Sequence, residues 1–233
     1  MQAQSDRSPS TGLPLPARIY DLSQPVYPNC PQYPDPTPRP VQVRLYYMAP
    51  IQGVNKEIVE MSTHSGTHCD APRHFFDDGA TIDQIPLENY VGPAVVIDLR
   101  HKDAGSQIER SDVAAVPFEP GDVVLLNTGW GAKRANTKTF LTAWPWLGGD
   151  AARDLVDRGA KGVGIDAVSM GGYDDPAKAG PAHRAILGAG RFIVEELSIP
   201  DDVMDGRKRL FCAAPVKLQG CGGAWTRAML WEF

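Results

Sequence analysis

The sequence predicts one domain of the α+β or layered α/β class, on three observations. Short apolar runs of strand length recur along the chain, helical stretches are few, and neither a linker nor an internal repeat divides it. Its 233 residues suffice for one well-packed core and do not require two. Hydrophobic content of 42% and charged content of 22% are those of an ordinary globular chain.

Taken in order, residues 1–17 are polar and rich in Ser, Pro and Gln, and are expected to be a disordered tail before a domain over 18–233. Ile19 to Leu22 reads as a short strand. The prolines from Pro25 to Pro36 exclude a regular ladder and favour a stiff extended loop. With Tyr27 and Tyr33 this loop can wall a pocket, or serve as a surface wrap or subunit contact. Val41 to Tyr47 alternates as a half-buried strand does, and Glu57 to Ser62 reads as a strand that turns into the histidine stretch. Ala94 to Leu99 and Asp122 to Leu126 have the continuous apolar character of buried strands, with a short helix N-capped by Ser111 between them. Asp150 to Arg158 is expected to be a helix stopped by Gly159. Gly162 to Val168 is another buried strand, with Asp166 near its end. Pro181 begins a short helix through Leu187 that carries His183. Arg191 to Leu197 is a strand holding Glu195. Arg209 to Leu218 and Thr226 to Trp231 are expected to close the fold, separated by the glycine-rich Gly220 to Gly223.

Composition also narrows the function. A net charge of -5 with no Lys/Arg cluster argues against nucleic acid as the main partner. No apolar run approaches the ~20 residues that cross a bilayer, so no membrane partner is expected. No basic segment followed by an apolar core is seen at the start, which makes the cytoplasm the expected location. Cys30, Cys69, Cys212 and Cys221 lack metal-finger spacing and are expected to be reduced thiols.

The chemistry concentrates in His64-Ser65-Gly66-Thr67-His68-Cys69-Asp70-Ala71-Pro72-Arg73-His74. Three of the five histidines lie here, with Asp70 among them at spacings of four, two and four. Imidazole and carboxylate together suit Zn, Mn or Fe(II). Ser-Gly-Thr between the first two histidines, and Ala-Pro after Asp70, argue against a helix and for a tight metal-binding loop. Gly66 lets the backbone fold closely there, and Pro72 stiffens the exit. Cys69 is expected to point away from His68 and Asp70 as a small buried filler. Glu195 follows the apolar Phe192-Ile193-Val194, and a buried carboxylate needs a partner or a metal. Asp166 is expected to be a structural, hydrogen-bonded aspartate, and His101 a surface residue. Tyr33, Phe75, Trp130 and Trp225 are the aromatic candidates for sandwiching a planar substrate.

On these residues the sequence resembles the cyclase family of metal-dependent hydrolases, which includes bacterial kynurenine formamidases and isatin hydrolases. Residues 64 to 74 match every fixed position of the family motif His-x-Gly-Thr-His-x-Asp-x-Pro-x-His. The resemblance extends from Asp21-Leu22-Ser23 through Leu126-Asn127-Thr128-Gly129-Trp130 and Gly164-Ile165-Asp166-Ala167 to His183 and Glu195. It implies a swivelling β/β/α fold with a mixed sheet, a homodimer or homotetramer, and His64, His68 and Asp70 as primary metal ligands. In the two-zinc formamidases Asp70 would bridge to a second ion held by His74, His183 and Glu195. In the isatin hydrolases one Mn is bound, and His74 would be free for acid/base work. The expected cofactor is therefore one Mn2+ or one or two Zn2+, acting on a water that attacks an amide carbonyl. The catalytic candidates are His74 with one ion, and Glu195 or His183 with two.

The chain departs from the formamidase pattern in two places. Its tail reads Gly220-Cys221-Gly222-Gly223-Ala224-Trp225 where formamidases carry Gly-x-Asp-Gly-Ser-Pro, and Tyr33-Pro34-Asp35-Pro36 stands for their Trp-Pro-Gly-Asp. Gln219 offers a neutral oxygen that could complete an octahedral Mn site, against a backbone-bonded loop role. These points rank isatin hydrolysis first and N-formylkynurenine deformylation second. A non-catalytic metal-binding structural or sensor protein is the third reading.

Overall fold

A computed structural model describes residues 14–35 and 39–233. Four parallel strands form the centre of its main sheet: β5 (Val91–Asp98), β7 (Val123–Asn127), β9 (Gly162–Ile165) and β10 (Phe192–Glu195). Antiparallel strands extend it on both sides. Next to β5 come β11 (Arg209–Cys212), β13 (Met229–Glu232) and β1 (Arg18–Asp21). Beside β10 lie β4 (His68–Asp70) and then β12 (Gly223–Trp225). The nine-stranded order is β1-β13-β11-β5-β7-β9-β10-β4-β12.

Both faces of the parallel centre are buried, which is why its strands read as unbroken apolar runs. In β7, Val124 and Leu126 enter one core and Val123 and Leu125 the other, following the period of two. The first core is covered by α4 (Gly149–Asp157) and α5 (Pro176–Gly188), which supply Ala151, Leu155, Ala182 and Ile186. The second collects Tyr90, Phe192, Val194 and Phe211, with Cys69, Ala224 and Leu230 from the antiparallel flanks. This is a single α/β domain with a mixed sheet, as the resemblance implied. All four cysteines are free. No helix among the described residues is long and apolar enough to cross a membrane.

Several expectations shift. Residues 1–13 of the expected tail and Pro36 of the proline loop lie outside the described residues, whereas Ala17 N–H already donates to Glu232 O at 2.6 Å. The helix α2 (Arg110–Ala114) is capped by Glu109 in a reciprocal box with Asp112, two residues before the expected Ser111. Helix α5 starts five residues earlier than read: Asp175 accepts Ala177 N–H as the N-cap and Pro176 opens the first turn, so Pro181 lies inside the helix. The expected strand over Arg209 to Leu218 stops at Cys212, and the glycine-rich stretch taken for a spacer contributes β12. Strands β2 (Gln42–Tyr47) and β3 (Lys56–Glu60) exist but pair only with each other. Leu45, Tyr46, Ile58 and Val59 on this hairpin are exposed rather than half-buried.

Candidate metal centre

The histidine stretch is a turn that becomes a strand. Gly66 takes a left-handed φ of 66°, which L side chains rarely adopt, and releases the chain into β4. The sequence reading of a loop throughout is corrected there: His68, Cys69 and Asp70 are held between β10 and β12 by antiparallel pairing. His68 lies opposite Glu195 on one side and Trp225 on the other. Alternation then separates Cys69, whose thiol reaches Ala213 O in the second core, from His68 and Asp70. A 3-10 turn over Pro72–His74 returns His74 against His64, the two rings stacking with centroids 3.9 Å apart. The glycines of the tail have a role here: a Cβ at Gly223 would lie 2.5 Å from His64 Cε1.

The donor atoms converge. His64 Nδ1 lies 2.7 Å from Asp70 Oδ1, and His68 Nε2 lies 3.3 Å from the same oxygen and 3.5 Å from Glu195 Oε2. His183 Nε2 lies 3.0 Å from Glu195 Oε1 and 3.9 Å from Asp70 Oδ2. Ligand atoms of His64, Asp70 and His74 fall within 4.8 Å of one another, as do those of His68, Asp70 and Glu195. Asp70 therefore belongs to both groups.

Hydrogen bonds outside this set fix the orientation of its members. His68 Nδ1 faces Gly66 O at 2.8 Å and His183 Nδ1 faces Ala179 O at 2.8 Å, so both rings turn Nε2 inward. Glu195 Oε1 accepts from Met170 N–H at 2.6 Å and Ser169 Oγ at 3.1 Å. Two buried atoms, His68 Nε2 and Asp70 Oδ2, have no hydrogen-bond partner. A divalent cation would satisfy both, and an imidazole–carboxylate donor set suits Zn or Mn. The residues present fit the metal that the motif implied.

The electrostatics agree. Burial pushes the Asp70 carboxyl up, but the imidazoles of His74, His64 and His68 gathered around it hold it well below the usual carboxylate range. Burial and the Asp70 charge act the same way on Glu195, where the hydrogen bond from His183 and the nearby His68 imidazole win and bring it to about 2. Burial would lower His68 and His183, but the flanking carboxylates raise both. The interior thus demands positive charge between Asp70 and Glu195. His74 is held down to about 4, first by burial, and its imidazole is neutral at pH 7.

A cavity of about 610 Å³ opens beside these groups. His64, His74, His183, Glu195 and Ser169 face it on the metal side, and Gln32, Tyr33, Phe75, Asp35 and Arg39 complete its wall and mouth. Phe75 stacks on His183 with centroids 4.5 Å apart, and Tyr33 packs against Trp144 and Tyr173. The centre sits past the carboxyl ends of β9 and β10, where open α/β sheets bind ligands.

Three expected site residues lie elsewhere. Trp130 is buried in the first core with its indole N–H donating to Phe140 O, so it cannot face a substrate. Trp225 Nε1 donates to Ser62 O, and the ring lines a separate depression beside Thr67 and Arg227. Gln219 is exposed and does not line the cavity. His101 is exposed, and Asp166 accepts from Thr128 N, Thr128 Oγ1 and Gly131 N as a structural aspartate. The sequence reading missed Ser169, Gln32 and Arg39, which line the cavity and carried no signal in the sequence.

The family model named Cyclase matches residues 20–171. The chain belongs to the Cyclase family. A kynurenine formamidase of Erythrobacter litoralis is 34% identical over 218 residues, covering 92% of this chain and 94% of that protein. Isatin hydrolase A from Labrenzia aggregata superposes with a TM-score of 0.83 at 25% identity, covering 92% and 93% of the two chains. The structure of a predicted metal-dependent hydrolase from Bacillus stearothermophilus matches at 31% identity and a TM-score of 0.76, covering 93% and 98%.

Proposed function

We propose that this Cyclase-family hydrolase cleaves the C–N amide bond of a small aromatic substrate at a divalent-cation centre. His64, His68 and Asp70 would be the primary ligands, and His74, His183 and Glu195 would help Asp70 hold a second ion where two bind. The observation that carries the reading is the pair of buried, unpartnered atoms, His68 Nε2 and Asp70 Oδ2, beside a cavity lined by two aromatic rings. The chemistry that Zn2+ or Mn2+ supplies in such a ligand set is activation of water and polarisation of a carbonyl oxygen. Tyr33 and Phe75 flank the aromatic part of the substrate. With one ion His74, neutral at pH 7, is free to take the proton of the attacking water and pass it to the leaving nitrogen; with two, His74, His183 and Glu195 would all serve as ligands.

Between the two substrates, N-formylkynurenine stands first. The formamidase relative is the more similar in sequence, at 34% against 25% identity. Asp35 and Arg39 at the cavity mouth suit the ammonium and carboxylate of an amino-acid tail, which neutral isatin lacks. Gln219, which favoured the isatin reaction, does not line the cavity. Comparison of kcat/KM for the two substrates, with elemental analysis of the purified protein, tests the proposal. Faster isatin turnover with one Mn per chain reverses the order. Tight metal binding without hydrolysis of any amide, lactam or ester supports a structural or sensor protein instead. A homodimer or homotetramer belongs to the proposal, since a second copy would cover the exposed apolar hairpin β2–β3; a monomer by light scattering refutes that part.

A further inference from the structure

Behind the metal centre lies an ion pair that the reaction does not use. The side chains of Arg134 and Glu196 are 6% and 3% exposed, with Arg134 Nη2 3.3 Å from Glu196 Oε2. Arg134 spends its other donors on the proline loop, Nη1 to Pro25 O at 2.8 Å and Nη2 to Pro31 O at 3.1 Å. Glu196 faces the histidine turn: its Oε1 accepts Gly66 N–H at 3.2 Å and its main-chain O accepts Thr67 Oγ1 at 2.6 Å. Glu196 has a φ of 52°, a left-handed conformation uncommon outside glycine, immediately after Glu195. Such outliers persist where the surroundings over-determine them. Pro31 leads directly into Gln32 and Tyr33 of the cavity wall, and Ser65 Oγ donates to Gln32 Oε1 at 3.1 Å.

We propose that Arg134 and Glu196 are positioning residues that set the shape of the substrate cavity, by fastening its proline-loop wall to the turn that carries the metal-binding histidines. Neither residue lines the cavity or belongs to the ligand groups. The planar fork of arginine reaches two carbonyls and a carboxylate together, which a lysine ammonium cannot do with the same geometry. The pair thus acts on substrate fit rather than on the ion. Its kinetic consequence rests on the amidohydrolase reading.

The test uses R134M, R134K and E196Q in the full chain, with steady-state kinetics, metal content and amide hydrogen exchange. R134M is expected to raise KM about tenfold while kcat changes less than about threefold. R134K should fall between R134M and the parent, E196Q should shift KM in the same direction, and metal content should stay at the parent value. The amides of Asn29 and Cys30, bonded to Val41 O and Tyr27 O inside the proline loop, should exchange faster in R134M and R134K. A fall in kcat at constant KM, loss of metal in step with activity, or unchanged exchange at Asn29 and Cys30 overturns the proposal. Insolubility of both R134M and R134K overturns it as well, since the pair would then be a folding element. If the parent hydrolyses no amide, the amidohydrolase reading fails, and exchange and metal content still decide on the pair.

Discussion

Ser169→Ala tests whether the groups orienting Glu195 matter to the centre. Glu195 Oε1 has three partners, Met170 N at 2.6 Å, His183 Nε2 at 3.0 Å and Ser169 Oγ at 3.1 Å, which leaves Oε2 to face His68. A hydrogen bond to a charged acceptor contributes about 1.5–3 kcal/mol. With two partners retained the lower end applies, and about 1.4 kcal/mol is a tenfold change in an equilibrium constant. Groups orienting metal ligands typically contribute about 10–100-fold, so the two routes agree on a ~10-fold weakening. The assay is competition for Zn2+ against a chelator of known affinity, followed by kcat/KM on the metal-saturated enzyme. Affinity and kcat/KM both within about twofold of the parent, in a protein that melts normally, would show that Glu195 needs no such support and refute the reasoning.

Other substitutions separate ligands from scaffold. His68→Ala should remove bound metal and lower kcat/KM by more than ~100-fold, beyond what an orienting residue contributes, whereas His101→Ala should leave both intact by elemental analysis and kinetics. Gly223→Ala places a methyl 2.5 Å from His64 Cε1 and should lower metal content through displacement of that ring. Asp166→Ala strands three buried donors and should destabilise the fold by ~3 kcal/mol, a melting-temperature drop of ~6–12 °C, with activity at low temperature retained. Dialysis against a chelator should abolish turnover, and Zn2+ or Mn2+ should restore it; activity surviving complete metal removal would contradict the centre.

The parts of the site that sequence made legible are those whose residue types are chemically scarce. A chain with five histidines that places three around one aspartate announces its ligands, and Glu195 announces itself as an acid at the end of an apolar strand. What stayed hidden depended on orientation. Trp130 and Trp225 look like pocket aromatics because they adjoin turns, yet their indole N–H groups find main-chain carbonyls at Phe140 and Ser62 that no local pattern reveals. Ser169 is one serine among many until folding brings it to Glu195, 26 positions away. The parallel strands were readable as apolar runs, whereas β12 was not, because its glycine is chosen to clear a histidine ring rather than for strand propensity.

The pairing of β4 with β10 and β12 has a consequence for the order of events during synthesis. His68, Asp70 and His74 leave the ribosome early, but the strand holding the first two acquires its neighbours only when residues 192–195 and 223–225 follow. Closing loops of that length is slow compared with forming local turns. A nascent chain released short of Gly223 would contain every proposed ligand but leave β4, with His68 and Asp70, as an open sheet edge prone to pairing with other chains. β12, nowhere near the motif in sequence, is therefore where a truncation should first disturb the maturation of this enzyme.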